Sequence, residues 1–118
     1  MTPERILVCG GRNYADELRV FDVLDDCRKW FAASFCIITG GARGADRFAG
    51  MWAESRGVCS IRVPAPWTVY GLSAGMLRNS WMLYFCKPEL VIAFPGGNGT
   101  AGMIKLAREA GVDVYAIR

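Results

Sequence analysis

Three times in this chain a short apolar run ends in a pair of glycines: Arg5 to Cys9 before Gly10-Gly11, Phe35 to Thr39 before Gly40-Gly41, and Leu90 to Phe94 before Pro95-Gly96-Gly97. A short continuous apolar run bounded by glycine reads as a strand buried on both faces, the mark of a parallel sheet. Helical periodicity follows each pair. From Asp16 to Phe31 the residues Val20, Leu24, Cys27 and Phe31 recur on one helical face, with Asp16 placed to cap the N-terminus.

The remaining segments continue the alternation. Ala42 to Arg56 reads as a helix with Phe48, Met51, Trp52 and Ser55 on one side, closed by Gly57. Ser60 to Val63 is a weaker strand stopped by Pro64 and Pro66, and Tyr70 to Phe85 carries Leu77, Trp81, Tyr84 and Phe85 at helical spacing before Pro88. A helix from Thr100 to Ala110, capped by Gly111, leads into a last strand from Val112 to Ile117. The order βαβαβαβαβ predicts an α/β fold: one Rossmann-like, three-layer domain over residues 1–118, with a five-stranded parallel sheet and helices on both faces. Strand order 3-2-1-4-5 sets strands 2, 1 and 4 side by side and so gathers the three glycine loops into one crevice, whereas order 2-1-3-4-5 separates the fourth strand from the other two.

Loops at that edge are built for anions. Glycine lets backbone approach a ligand closely, and the helix that follows offers unpaired N–H groups. Glycine pairs also serve as plain turns that pack helix on strand, but three of them in 118 residues favour phosphate binding. The sharpest case is Pro95-Gly96-Gly97-Asn98-Gly99-Thr100, where the glycines shape a nest and Thr100 adds a hydroxyl. No Walker A or GxGxxG spacing is present. Around the crevice the expected ligand-binding residues are Gly10, Gly11, Arg12 and Asn13 from the first loop, Gly40, Gly41, Arg43, Gly44 and Asp46 from the second, and Arg78 and Asn79 from the third helix. Arg78 sits in an apolar stretch and so needs an anionic partner, while Asp46 is equally well a helix-dipole partner. Trp67 is placed to stack on a base or to pack a turn.

Composition removes whole classes of chemistry. The chain has no histidine, which excludes triads with a His base, HExxH zinc sites and histidine phosphotransfer. Five cysteines, far apart in sequence and without a CxxC pair, read as buried cytosolic thiols, and no metal site is expected. Eleven of the 14 basic residues are Arg, whose planar fork suits phosphate, although the net charge of +3 is too small to announce a nucleic-acid binder. The N-terminal sequence is not a signal peptide and no apolar stretch reaches a membrane span, so a cytoplasmic protein is expected. Trp30, Phe31, Trp81 and Phe85 are expected in the core or at a subunit interface, and exposure of several of them predicts a homodimer or higher homo-oligomer.

Taken together, GGRNY, GGARGAD, WAESRGV, PAPWTVYG, AGMLRNSWM and PELVIAFPGGNGTA resemble the YspA/YAcAr-type branch of the SLOG superfamily, named after the DprA and LOG proteins, over essentially the whole chain. The resemblance implies a Rossmann-like domain that binds nucleotides or nucleotide-derived ligands, with PGGNGT as the phosphate loop and no cofactor required. It also implies a place in bacteria or their phages, in systems that sense or process nucleotide signals, NAD-derived ones included. LOG phosphoribohydrolases carry PGGxGTxxE and an Arg followed by Lys and later Met. Arg78 and Met82 match, but Asn79 stands in place of the Lys and Met103 in place of the Glu. Losing that carboxylate removes a group able to stabilise positive charge on ribose or to handle a proton.

Three functions follow in order of preference. The first is non-catalytic binding of a phosphorylated nucleoside ligand, of the ADP-ribose, NAD-derived or nucleoside monophosphate class, as sensor or sponge. The second is a LOG-like N-glycosidase or other nucleotide-processing enzyme, with Asp46 and Arg78 as the candidate catalytic residues and Asp16 or Glu54 as substitutes for the missing Glu. The third is DprA-like contact with single-stranded DNA.

Overall fold

Strand β1 (Arg5–Cys9) takes the centre of the sheet because it is apolar on both sides: Ile6, Leu7 and Val8 are fully buried. A computed structural model describes residues 3–31 and 34–118 of the chain. There β1 pairs in parallel with β2 (Cys36–Thr39) and β4 (Leu90–Ala93), and β3 (Ser60–Arg62) and β5 (Asp113–Ala116) extend the sheet to the order β3-β2-β1-β4-β5. Burial fades outward: β2 and β4 are mostly buried, β3 is exposed throughout, and β5 nearly so.

Strand alternation divides the interior into two layers. Ile6, Val8, Ile37, Ile92 and Phe94 face helices α1 (Glu17–Phe31) and α2 (Ala45–Arg56), and Phe35 stacks on Trp52 with ring centroids 6.2 Å apart. Leu7, Cys9, Ile38, Val91 and Ala93 face α4 (Ala74–Tyr84) and α5 (Asn98–Glu109). The result is the expected single α/β domain with helices on both faces. Among the described residues no helix is long and apolar enough to cross a membrane.

Several local expectations need correction. The second helix starts at Ala45 rather than Ala42, because Gly44 holds φ +78° and keeps the preceding residues out of helical geometry. The helix expected from Tyr70 to Phe85 is interrupted: α3 (Trp67–Tyr70) and a 3-10 turn over Gly71–Ser73, entered at φ +57° on Gly71, precede α4. Two helix faces are also turned. On α2 the buried side is Ala45, Asp46, Ala49, Trp52 and Ala53, leaving Met51 and Ser55 exposed. On α4 it is Ala74, Asn79, Met82 and Leu83, leaving Tyr84 exposed, with Phe85 exposed just beyond the helix end and Leu77 and Trp81 half-buried. Both segments are apolar on more than one side, so spacing alone does not choose the inward face. The caps conform: Arg19 N–H donates to Asp16 Oδ1 at 3.0 Å, and Gly111, at φ +76°, follows the end of α5.

The cysteines are not uniformly buried thiols. Cys9 and Cys27 are buried, but Cys59 is exposed and Cys36 and Cys86 are half-buried. Parallel pairing aligns Ile37 with Ser60, which brings the residues just before them together: the Cys36 and Cys59 thiols lie 3.0 Å apart. Burial, followed by the neighbouring Cys59 thiol, pushes Cys36 up to about 12, so it is held as a thiol.

One polar cluster ties α1 to α2. Asp25 accepts hydrogen bonds from Trp52 Nε1 at 2.8 Å, Arg56 Nε at 3.1 Å and Arg56 Nη2 at 2.9 Å. The Arg56 hydrogen bond holds the Asp25 carboxyl below its usual range, against a smaller opposing effect of burial. A carboxyl depressed in the folded state stabilises it above the unfolded pKa and loses that effect as pH falls. Asp25→Ala should therefore cost about 1 kcal/mol in urea denaturation at pH 7, with the difference from wild type shrinking as the solution is acidified below about pH 4.

Candidate functional site

With β2, β1 and β4 adjacent, the three glycine loops meet at the carboxyl edge of the sheet, as expected of an open parallel fold. Hydrogen bonds close them into a ring. Gly11 N–H donates to Pro95 O at 3.0 Å, joining the first loop to the third, and Ala45 N–H reaches Gly11 O at 3.4 Å, joining the second to the first. Helix α4 supplies the other two links: Arg78 Nη1 donates to Gly40 O at 3.0 Å, and Asn79 Nδ2 donates to Gly99 O at 3.2 Å. Arg78 Nε also donates to Asn79 Oδ1 at 3.2 Å, so neighbouring side chains brace each other.

Close approach explains particular glycines. A Cβ on Gly96 would collide with Thr100 Oγ1 and lie 2.7 Å from Gly11 N, so only glycine lets the first and third loops touch. A Cβ on Gly44 would meet Gly11 O, and φ +78° there adds a backbone requirement. Gly97 differs: a Cβ there meets nothing within 4 Å and its φ of −98° suits any residue. Its glycine is not required by the protein's own packing, and it borders open space.

That space is a cleft of about 1040 Å³. Its lining includes Gly10, Gly11, Arg12, Asn13, Asp46, Arg78, Asn79 and the whole segment Pro95 to Thr100, which brings together most of the residues singled out from sequence. Gly40, Gly41 and Arg43 instead line an adjoining recess of about 310 Å³ that shares Arg12, Ala42 and Arg78 with the cleft. Gly44 lines neither and acts beneath the loops. The Trp67 side chain lies outside the described residues. Sequence reasoning passed over Cys9, Tyr14, Met76 and Gly102 in the cleft and Arg62 at the recess. Arg62 lies on the short, exposed strand β3, whose pattern gives no sign of the register that carries it to this edge.

Asp46 is the one carboxylate among the cleft-lining residues. Its Oδ2 accepts from Gly40 N–H at 3.1 Å and from Ala42 N–H at 3.4 Å, so it shapes the second loop. Burial raises its pKa to about 6, while Arg78, the two backbone donors and Arg12 pull the other way. Burial likewise lowers the Arg78 pKa, opposed by Asp46. Cys9, on the cleft floor, is pushed to about 12 by burial and then by Asp46, which leaves it protonated and a poor nucleophile. Met103, on α5, is buried beneath the cleft.

A model of the YspA, cpYpsA-related SLOG family matches residues 4–70, more than half of the chain and the stretch that holds the first two glycine loops. The chain belongs to this SLOG family. Gene 61 protein of Mycobacterium phage D29 is 34% identical over 117 residues, covering 93% of each chain. The X-ray structure of TM1055, a structural-genomics target, superposes with a TM-score of 0.71 at 20% identity, over 97% of this chain and 72% of that one, and shows the shared fold. Membership of the SLOG family points to a nucleotide-related role for the Rossmann-like domain.

Two predictions test the site's construction. Gly96→Ala should destabilise the SLOG domain by about 1–3 kcal/mol in urea denaturation through forced separation of the loops, whereas Gly97→Ala should leave the midpoint within about 0.5 kcal/mol of wild type. For Asp46 the folded-state pKa is raised, so the domain binds this proton more tightly than the unfolded chain does. Its contribution to stability is present below about pH 4 and is lost as pH rises through about 6. Asp46→Asn should remove that decline from a stability–pH profile measured between pH 4 and 7.

Proposed function

We propose that this SLOG protein binds a phosphorylated, nucleotide-class ligand without turning it over. One observation carries the reading: the phosphate-loop glycine Gly97 opens onto a large cleft that its own chain leaves unfilled, on the same edge as Arg78. In this reading the ligand's phosphate rests on the Gly96–Thr100 turn at the N-terminus of α5, where unpaired N–H groups and the helix dipole favour an anion. Arg12, Asn13 and Arg78 surround it, and the exposed apolar side chain of Met76 offers a contact to base or sugar.

The balance of groups favours binding over hydrolysis. Glycosidic cleavage needs a carboxyl group placed to stabilise positive charge or move a proton, yet Met103 occupies the hydrolase position and Asp46 is engaged by two backbone N–H groups. Asp16 and Glu54, the alternative carboxylates, do not line the cleft. A second reading, LOG-like hydrolysis, draws support from the near-neutral pKa of Asp46, which suits a general acid. No cofactor is required by either reading. DNA binding has less support, since the arginines at this edge, Arg12, Arg43, Arg62 and Arg78, gather at a cleft and its recess.

A ligand-binding domain of this kind fits a sensor or a sponge for nucleotide signals, and relatedness to a phage protein fits a role in conflict between phage and host. Exposed Trp30, Tyr84 and Phe85 support self-association, with a homodimer expected by light scattering.

Incubation with AMP, NAD and ADP-ribose followed by mass spectrometry separates the two readings. Unchanged ligand retained in stoichiometric amount is the expected outcome; free base with ribose phosphate would overturn non-catalytic binding. Gly97→Leu, whose Cβ meets nothing of its own chain within 4 Å, should weaken nucleotide binding by at least about tenfold while the melting temperature stays near wild type. Unaltered affinity would mean that the ligand sits elsewhere.

A further inference from the structure

The second glycine loop differs from the third in what its glycines make room for. A Cβ on Gly40 would run into the Arg78 guanidinium, and a Cβ on Gly41 would run into the Arg62 side chain along Cγ, Cδ and Nε. The pair therefore cradles two arginines, one from α4 and one from the end of β3. Gly41 itself holds φ +70°, so a side chain there would be both strained and obstructed. The first three N–H groups of the loop are already committed: Gly40 and Ala42 donate to Asp46, and Gly41 donates to Thr39 Oγ1 at 3.3 Å.

The recess beside this loop is lined by Arg12, Arg43, Arg62 and Arg78 together with Pro64 and Ala65, and its lining contains no carboxylate. Among the described residues neither Arg43 nor Arg62 has an ion-pair partner. Like charges gathered at one concavity repel, and the proximity of Arg12 is one cause of the lowered Arg78 pKa. An anion relieves that repulsion and accepts from several guanidinium groups at once. With the Gly40, Gly41 and Ala42 amides engaged, the side-chain contacts offered to it are those of the arginines.

We propose that the recess is a second anion subsite, so that the ligand carries two phosphate-class groups, one on the Gly96–Thr100 turn and one held by Arg62 and Arg43 beside the second loop. The placement of the first group rests on the nucleotide reading above; the subsite itself rests on the arginines. Cleft and recess share Arg12, Ala42 and Arg78 in their linings, so the two anion positions are neighbours within reach of one molecule. The ligand class is then a nucleotide with a pyrophosphate bridge or with phosphates at two positions, in preference to a nucleoside monophosphate.

Calorimetric titration of wild type, Arg62→Gln and Arg43→Gln with AMP, ADP-ribose, adenosine 3′,5′-bisphosphate and inorganic pyrophosphate tests this. Wild type should bind ADP-ribose or the bisphosphate about ten- to a hundredfold more tightly than AMP, the scale of one or two charge-assisted hydrogen bonds. Either variant should erase most of that advantage while AMP affinity holds within about twofold and circular dichroism is unchanged. Equal loss for AMP and the two-phosphate ligands, or no loss for any, overturns the subsite. If no nucleotide binds wild type, the nucleotide reading fails and pyrophosphate decides the subsite alone: Arg62-dependent binding upholds an anion site served by free phosphate compounds, and its absence overturns it.

Discussion

Everything at the ligand edge depends on β1 lying between β2 and β4. Parallel pairing on both sides of one buried strand brings the ends of three strands level, so that three loops distant in sequence come within hydrogen-bonding reach. The ring Gly11–Pro95, Asn79–Gly99, Arg78–Gly40 and Ala45–Gly11 then holds them in place. Three of its four acceptors are glycine carbonyls and the fourth is that of Pro95, so the rim is fixed by main chain, and α4 contributes the two side chains that span the gap. Asn79 thus serves the structure by linking α4 to the Gly96–Thr100 turn.

Most of the architecture was legible from local pattern. Apolar runs ending in glycine marked the strands, and the clustering of those glycines selected the strand order that the parallel sheet adopts. Helix orientation was not legible in the same way. Trp81, Tyr84 and Phe85 lie at helical spacing and are apolar, but so are Met82 and Leu83, and the pair that packs on β1 and β4 wins by fitting the groove beneath them. The break at Gly71 was missed because the segment reads as apolar through it, and only a positive φ reveals where the chain turns.

The site was legible as composition but not as division of labour. Glycine loops, Arg78 and the PGGNGT turn were all visible, yet a glycine pair in sequence does not say what it makes room for. Gly96 admits backbone, Gly40 and Gly41 admit arginine side chains, and Gly97 admits nothing of the protein's own. Arg62 went unnoticed because it belongs to a short exposed edge strand with no motif around it; register with Thr39 brings it to the second loop. The Cys36–Cys59 contact escaped for a related reason, since residues 23 positions apart in sequence become neighbours through parallel pairing alone.

The cleft sets this stiff rim beside the exposed side chain of Met76, while Met82 and Met103 at its base are packed into the core. Methionine has several soft torsions and a polarisable sulfur, so it conforms to whatever surface is presented to it. None of the three takes part in the hydrogen bonds that hold the loops together. Exchanging Met76 for another apolar side chain therefore alters the contour of the cleft while the hydrogen-bonded rim keeps its shape. Contour and scaffold are carried there by separate sets of atoms, so that wall of the cleft can change without the rim being rebuilt.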